Sequence, residues 1–352
     1  MNPFWPGVIK AYRDRVSVRG EPITLLEGGT PLIPMPRVAE WACPGAELFA
    51  KFEGLNPTGS FKDRGMTAAV TEAVHDGAKS IVCASTGNTA ASAAAYAAHA
   101  GIRCIVVVPD GKIAMGKLAG ALAYGAQVVQ IRGSFDDGLR MVRDLSDQTP
   151  IALVNSVNPA RLQGQKTGSF EICDVLGGAP DYHCLPVGNA GNITAYWLGY
   201  REYFDDKTIA RLPHIIGGQA SGSAPILENR VIEQPETVAT AIQIGNPARW
   251  CEALTALRES DGQIWRLTDE EIMEAHAKLA QLDGVFCEPS SATGLAALRK
   301  SVQHQKVAVE GCKIVCVLTG HGLKDTEIVT RTAAAPTCID ANLDDLKRLL
   351  SF

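Results

Sequence analysis

Short runs of β-branched residues alternate with longer stretches of helical periodicity, and this alternation restricts the fold more than any other feature of the sequence. Strands that alternate with crossover helices are typical of parallel sheets, so the sequence predicts the α/β class with open, mostly parallel sheets and flanking helices. The predicted strands are residues 80–84, 104–108, 127–131, 151–154, 182–187, 214–217 and 313–318. The predicted helices are residues 89–100, 135–145, 161–176, 193–203 and one from a capping box at Thr268 and Glu271 to about Leu282.

The length of the chain, 352 residues with 46% hydrophobic content, is sufficient for two hydrophobic cores. We expect a large lobe built from residues 1–60 and 148–352, and a small inserted lobe from residues 61–147. Ligands of open α/β proteins bind beyond the carboxyl ends of strands or in a cleft between lobes. The functional site is therefore expected in the cleft between these two lobes.

Charge and composition exclude several classes of partner. The net charge is −5, and the lysines and arginines form no basic stripe, so no nucleic-acid partner is expected. The sequence contains no apolar run long enough to span a membrane and no targeting pattern near its start, which favours a cytoplasmic protein. Its ten cysteines lie mostly in apolar runs without a CxxC pair, so reduced core thiols are expected rather than disulfides or a metal site.

The segment NPTGSFKDRG, residues 56–65, contains turn formers followed by a helix start, and it places Lys62 in the first helical turn. A helix N-terminus is partly positive, so it favours the neutral amine, which is the form that attacks an aldehyde. A single lysine in this position is more often a surface residue paired with a neighbour such as Asp63. The other motifs must therefore decide between the two interpretations.

The segment STGNT, residues 85–89, lies between a predicted strand and an alanine-rich helix. The hydroxyls of Ser85, Thr86 and Thr89, together with free backbone N–H groups, would suit a carboxylate. The amide of Asn88 could donate to a phenolic oxygen of a bound ring. An ordinary helix cap would have the same composition.

The segment GNAGN follows an apolar strand and opens a helix, an arrangement that suits a phosphate group. It is a GxxG pattern rather than the GxGxxG of a dinucleotide fold, and a plain glycine turn is an equally good interpretation. It consists of Gly188, Asn189, Ala190, Gly191 and Asn192.

Thr319, in the segment LTGHG, ends the last predicted strand. Its hydroxyl could meet a heterocycle nitrogen without keeping that nitrogen protonated, which would moderate the electron sink of the ring. A strand-terminal threonine before a glycine turn is the simpler alternative.

These four motifs, in this order, resemble those of the fold-type II pyridoxal 5′-phosphate enzymes, the tryptophan synthase β-like family, and most closely those of the threonine synthases. The resemblance spans residues 26–324. It implies that Lys62 carries the cofactor as a Schiff base, that Asn88 contacts the ring hydroxyl, and that Thr319 contacts the pyridine nitrogen. It also implies that residues 188–192 hold the cofactor phosphate.

The resemblance further implies a lyase of threonine biosynthesis that acts on O-phospho-L-homoserine. Lys62 would be the general base, the γ-phosphate would be eliminated, and water would add at Cβ to give L-threonine. A homodimer without an additional regulatory lobe is expected. The substrate phosphate would contact Asn155, Ser156 and Arg161, and the substrate carboxylate would contact Ser85, Thr86 and Thr89. A helix cap followed by a surface arginine remains an alternative for Asn155, Ser156 and Arg161.

Other functions stay open at this point. A threonine or serine dehydratase, or a β-replacement enzyme of the O-acetylserine type, would share the fold and differ in a few contacts. Outside these enzymes, the chain could be a catalytically idle binding homologue, or a nucleotide-binding α/β protein that uses residues 188–192 for a different phosphate.

Overall fold

The computed structural model describes residues 4–111, 115–332 and 335–350, and it confirms the α/β class. Within these ranges the chain forms ten strands and fifteen α-helices. The strands are β1 Leu32–Pro34, β2 Glu47–Phe52, β3 Ser80–Ala84, β4 Arg103–Pro109, β5 Gln127–Ile131, β6 Ala152–Leu153, β7 Tyr182–Pro186, β8 His214–Ala220, β9 Gln263–Leu267 and β10 Lys313–Leu318. The helices are α1 Val8–Ala11, α2 Pro36–Ala42, α3 Lys62–His75, α4 Asn88–Ala100, α5 Met115–Ala123, α6 Phe135–Gln148, α7 Ala160–Gln165, α8 Thr167–Leu176, α9 Gly191–Asp205, α10 Pro225–Glu228, α11 Trp250–Glu259, α12 Asp269–Asp283, α13 Pro289–Gln303, α14 Glu327–Thr332 and α15 Leu343–Leu350.

One predicted element differs in kind. The single helix predicted for residues 161–176 is two helices, α7 and α8, which meet at Lys166. The hydroxyl of Thr167 donates to the carbonyl of Gly164 at 2.6 Å. Such a local side-chain bond competes with the regular helical ladder and accounts for the break.

The larger sheet has six strands in the order β1-β2-β10-β7-β8-β9. Only β1 is antiparallel to its neighbour, and the remaining pairs are parallel. Helix α13 packs on this sheet, and its buried Leu295 and Leu298 join the strands in one core. The carboxyl ends of β7 and β10 therefore lie at the same edge of the sheet.

The smaller sheet has four parallel strands in the order β5-β4-β3-β6. Six of the eight alanines of α4 are buried, and their small side chains let the helix lie close to β3 and β4. Because β6 pairs with β3 in this sheet, we propose that the small lobe extends beyond residue 147 to Leu153. The division at residue 60 stays a prediction.

A buried ion network anchors the start of α3. Nε of Arg64 lies 2.6 Å from Glu53, and its Nη1 lies 2.6 Å from Glu171, which also pairs with Lys51 at 2.6 Å. Burial alone would raise the pKa of Glu171, but Arg64 and Lys51 hold that pKa down to about 2. Arg64 follows Lys62 by two residues, so this network fixes the helical turn that carries Lys62.

Two general properties follow from the described residues. None of their helices is both long and apolar enough to cross a bilayer. Each of the ten cysteine thiols is free, and seven of them are buried, as expected for core thiols.

Candidate active site

The segment that carries Lys62 is hydrogen-bonded to the segment that carries Thr319. The amide of Phe61 donates to the carbonyl of Thr319 at 2.9 Å, and the amide of His321 donates to the carbonyl of Gly59 at 2.9 Å. Gly59 has φ +83°, a conformation that glycine adopts without strain. The structure thus brings these two motifs, which are more than 250 residues apart in sequence, together at the end of β10.

The amine of Lys62 lies in surroundings that favour its neutral form. The side chain is half-buried, and its Nζ lies 4.1 Å from the centre of the Phe61 ring. Removal from water lowers the pKa of the Lys62 ammonium to about 7, and the charge of Arg161 lowers it further while Glu288 opposes the shift. Near neutral pH a substantial share of the amine is therefore the uncharged nucleophile.

The alternative interpretation of Lys62, a surface lysine paired with Asp63, is wrong. The carboxylate of Asp63 is buried, and it accepts hydrogen bonds from the amide and hydroxyl of Thr58 and from the hydroxyl of Ser92. These bonds, at 2.5 to 2.7 Å, hold the first turn of α3 against α4. Asp63 therefore positions the helix, and no carboxylate among the described residues forms an ion pair with the amine of Lys62.

The segment from Ser85 to Thr89 forms the turn between β3 and α4, and its side chains are half-buried. Ser85 Oγ accepts a long hydrogen bond of 3.5 Å from the Gly87 amide. The amide of Asn88 donates to both oxygens of Glu288, at 3.0 and 3.2 Å. Asn88 is thereby directed toward the group of residues that also includes Lys62, because Glu288 lies near both.

The GNAGN segment forms the turn between β7 and α9. Ala190 has φ +61°, and a Cβ on Gly188 would lie 2.9 Å from Cα of Ile242, so the backbone passes closer than a side chain would allow. Asn192 is buried, and neither polar atom of its side chain has a hydrogen-bond partner among the described residues. Unpaired buried amides are costly, and helix N-terminal N–H groups attract anions. The turn therefore fits the phosphate of pyridoxal phosphate.

Arg161 is fully buried and lies near Lys62. Its Nη1 donates to the carbonyl of Val154 at 3.3 Å, and its Nε has no hydrogen-bond partner among the described residues. Within the part of the chain that the structure describes, no carboxylate is close enough to form a salt bridge with it. Burial lowers the pKa of its guanidinium to about 10. A buried cation without an anion is unfavourable, so the residue is suited to an anionic ligand, and the surface-arginine interpretation is wrong.

Asn155 contacts the end of β3, and Ser156 contacts the turn of residues 188–192. The side chain of Asn155 accepts from the amide of Ala84 at 3.0 Å and donates to its carbonyl at 2.9 Å. Ser156 Oγ accepts from the amide of Asn189, whose own oxygen accepts from the backbone of Ala248 at 2.6 Å. Both side chains are therefore anchored, whereas Arg161 retains free donors.

The sequence analysis did not identify three residues of this region. Glu288 and Ser291 lie at the start of α13, and Arg249 donates to the carbonyl of Val157 at 3.5 Å. The charge of Arg249 lowers the pKa of Arg161, which places the two arginines near each other. A proline directly after Glu288 is a helix-start signal that could have drawn attention to this turn.

Known proteins are similar to this chain over most of its length. The family model described as "Pyridoxal-phosphate dependent enzyme" matches residues 23–320. "Threonine synthase" of Mycobacterium leprae is 55% identical over 342 residues, which cover 96% of this chain and 94% of that protein. "Threonine synthase" of Halalkalibacterium halodurans is 53% identical over 351 residues, which cover 97% of this chain and 98% of that protein.

Solved structures share the fold at lower sequence identity. Maize serine racemase superposes with a TM-score of 0.74 at 20% identity, covering 93% of this chain and 97% of that one. Threonine deaminase isoform 2 from Solanum lycopersicum superposes with a TM-score of 0.74 at 20% identity, covering 87% of this chain and 83% of that one. The chain therefore belongs to the pyridoxal-phosphate dependent enzyme family and, within it, to the threonine synthases.

Proposed function

We propose that this enzyme converts O-phospho-L-homoserine and water into L-threonine and inorganic phosphate, with its cofactor attached to Lys62. The observation that carries the proposal is that Lys62, whose pKa is lowered to about 7, lies near Arg161, a buried cation with no carboxylate partner among the described residues. The full-length similarity to threonine synthases supports it.

Pyridoxal phosphate, when bound, supplies an electron-poor ring that stabilises negative charge at a substrate carbon. Its phosphate would be held by the turn of residues 188–192, where the amide of Asn192 has no hydrogen-bond partner among the described residues. Asn88 would donate to the ring hydroxyl, and Thr319 would face the ring nitrogen. The amide of Phe61, the residue before Lys62, donates to the carbonyl of Thr319. Lys62 and Thr319 therefore lie at the same end of β10.

The substrate would be bound at both of its anionic ends. Ser85, Thr86 and Thr89 would hold the carboxylate at the N-terminus of α4, where hydroxyls and first-turn N–H groups converge. Arg161 would hold the phosphate through its free Nε and Nη2 edge, and Ser156 would contribute its hydroxyl. A dehydratase or an O-acetylserine enzyme acts on a substrate without this phosphate, so the unpaired arginine favours the phosphorylated substrate.

Lys62 would move the protons of the reaction. Its neutral amine would take a proton from Cα and then one from Cβ, while phosphate leaves Cγ and a proton returns there to make the methyl group. Water would supply the hydroxyl that adds at Cβ. Of the two protons then left over, one would return from Lys62 to Cα and the other would leave with phosphate. Arg161 would hold the departing phosphate near Cβ, where the phosphate could accept the proton of the attacking water.

The proposal is tested by assaying both products at once. Purified enzyme is supplied with pyridoxal phosphate and O-phospho-L-homoserine, and phosphate and threonine are measured in the same samples. We expect equal molar amounts of the two products, and much slower ammonia release from L-threonine or L-serine. The Lys62→Ala variant is the control and should make neither product. Faster deamination, or phosphate release without threonine, would overturn the proposal.

The oligomeric state and the cellular location stay predictions from the sequence. We expect a homodimer, as implied by the resemblance to the family, and a cytoplasmic location, as expected from the sequence. Light scattering on the purified protein would test the dimer, and a monomer under assay conditions would contradict it.

A further inference from the structure

The first turn of α13 contacts both residues assigned to the cofactor ring. Glu288 is the N-cap residue of this helix, Pro289 is its first residue, and Ser291 follows two positions later. Glu288 and Ser291 are both buried, with exposed fractions of 5% and 0%. The ring partners Asn88 and Thr319 come from the two different sheets, so this turn is a common support for groups that would otherwise be independent.

Glu288 determines the orientation of the Asn88 amide. Its carboxylate accepts from Nδ2 of Asn88 at 3.0 and 3.2 Å and from the hydroxyl of Thr319 at 3.4 Å. The carboxylate is confined, because a Cβ on Gly320 would lie 2.6 Å from it. An amide nitrogen has two hydrogens, so one can be given to Glu288 while the second remains for a ligand. The bond also fixes which end of the amide faces the site.

Ser291 determines the direction of the Thr319 hydroxyl. Ser291 Oγ accepts from the amide of Gly320 at 3.0 Å and lies 2.8 Å from Oγ1 of Thr319. The only other acceptor near it is the carbonyl of Gly320, at a distance of 3.5 Å within the described residues. The proton of Ser291 is therefore best directed toward Thr319. The proton of Thr319 then goes to Glu288 over a long 3.4 Å bond, which a better-placed ligand acceptor could replace.

We propose that Glu288 and Ser291 are positioning residues for the cofactor ring, with Glu288 acting through Asn88 and Ser291 acting through Thr319. The inference rests on the proposed function, since it takes Asn88 and Thr319 as the ring partners. It adds the assignment that Thr319 acts as a hydrogen-bond donor, because the serine beside it supplies the bond that the threonine oxygen accepts. Without Ser291, the hydroxyl of Thr319 could rotate, and its donor direction would no longer be fixed.

The test compares three variants with a matched control from the same helix. Glu288→Ala and Ser291→Ala remove the two contacts, and Glu288→Gln keeps an oxygen that can accept from Asn88. Thr293→Val is the control, because the Thr293 hydroxyl is buried in α13 and has no hydrogen-bond partner among the described residues. Each protein is stripped of cofactor and titrated with pyridoxal phosphate. The measurements are Kd and the visible absorbance spectrum of the bound cofactor.

We expect Kd to rise about tenfold in Glu288→Ala and in Ser291→Ala, which corresponds to one lost hydrogen bond to a charged or fixed partner. Glu288→Gln should recover most of the lost affinity. Ser291→Ala should also change the position or relative height of the visible bands, since the nitrogen of the ring would lose a directed donor. Thr293→Val should match the unmodified enzyme in both measurements.

Unchanged affinity and spectrum in both alanine variants would overturn the inference, as would an equal loss in Glu288→Gln and Glu288→Ala. If Glu288→Ala does not fold, Glu288→Asp replaces it, because the shorter side chain should also fail to reach Asn88. Both measurements depend on cofactor binding and do not require catalytic turnover. An enzyme that binds cofactor but makes no threonine therefore refutes the proposed function while leaving this comparison decisive, and an enzyme that binds no cofactor refutes both.

Discussion

Replacement of Arg161 by alanine should affect substrate affinity and the acidity of Lys62 separately. Arg161 is buried, and one of its terminal nitrogens donates to the carbonyl of Val154. Its remaining edge has no hydrogen-bond partner among the described residues. Two charge-assisted hydrogen bonds from this edge to a phosphate would make the loss about 3 kcal/mol, or roughly a hundredfold in KM for O-phospho-L-homoserine. Arg161→Lys keeps the positive charge but not the forked pair of donors, so its KM should lie between those of the unmodified enzyme and Arg161→Ala.

The second effect has a definite sign. The positive charge of Arg161 disfavours the ammonium form of Lys62, so its removal should raise the pKa of Lys62 above about 7. The pH profile of cofactor capture would then move to higher pH in Arg161→Ala and stay in place in Arg161→Lys. A role of Arg161 in packing alone would not produce this difference between the two variants.

The assay combines initial-rate kinetics with spectral titration by L-threonine, which has a carboxylate and an amine but no phosphate. Kd for L-threonine should change little in Arg161→Ala, whereas KM for the phosphorylated substrate rises. Arg266→Ala is the control, because this arginine is exposed and pairs with Glu228 on the surface. Unchanged KM, or an equal loss for both ligands, would refute the assignment of the substrate phosphate to Arg161.

Three further outcomes are expected. The neutral fraction of Lys62 increases from about a tenth at pH 6 to about nine tenths at pH 8. The rate at which cofactor-free enzyme binds pyridoxal phosphate, measured by stopped flow, should therefore increase about ninefold, and a rate independent of pH would contradict this. Gly188→Ala should raise Kd for pyridoxal phosphate at least tenfold by absorbance titration, because its Cβ would lie 2.9 Å from Cα of Ile242, and unchanged affinity would show that the turn can move. Arg64→Ala should lower the free energy of unfolding by about 3 kcal/mol or more, measured in denaturant, because it leaves Glu171 short of one cation; a change under 1 kcal/mol would contradict the role of the network.

The strands that sequence periodicity identified are the apolar ones. Residues 80–84 and 313–318 were predicted with the observed bounds, because residues buried on both faces leave a largely apolar run. Residues 127–131 were also predicted with the observed bounds, from the β-branched residues of an edge strand that is mostly exposed. Strand β2 was missed because Lys51 interrupts its run, although this lysine is buried and paired with Glu171. Strand β9 was missed because it is a half-exposed edge strand of mixed composition.

The site residues also divide into those with a local sequence signature and those without one. Lys62, Asn88 and Thr319 were predicted from local motifs, since each one ends a strand or begins a helix and so has a signature in its immediate neighbours. Glu288 and Ser291 act through contacts with residues that are distant in sequence, and no local pattern specifies such contacts. The anchoring of Asn155 by the backbone of Ala84 could not be predicted either, because it depends on how β3 lies beside the following segment.

The location of the covalent bond is the central claim, and peptide mapping tests it most directly. Enzyme loaded with pyridoxal phosphate is reduced with borohydride, digested and analysed by mass spectrometry. We expect the reduced cofactor on one peptide, the one that contains Lys62, with loss of the label in Lys62→Ala. A label on another lysine, or a label that persists in that variant, would contradict the assignment of the cofactor to the first turn of α3.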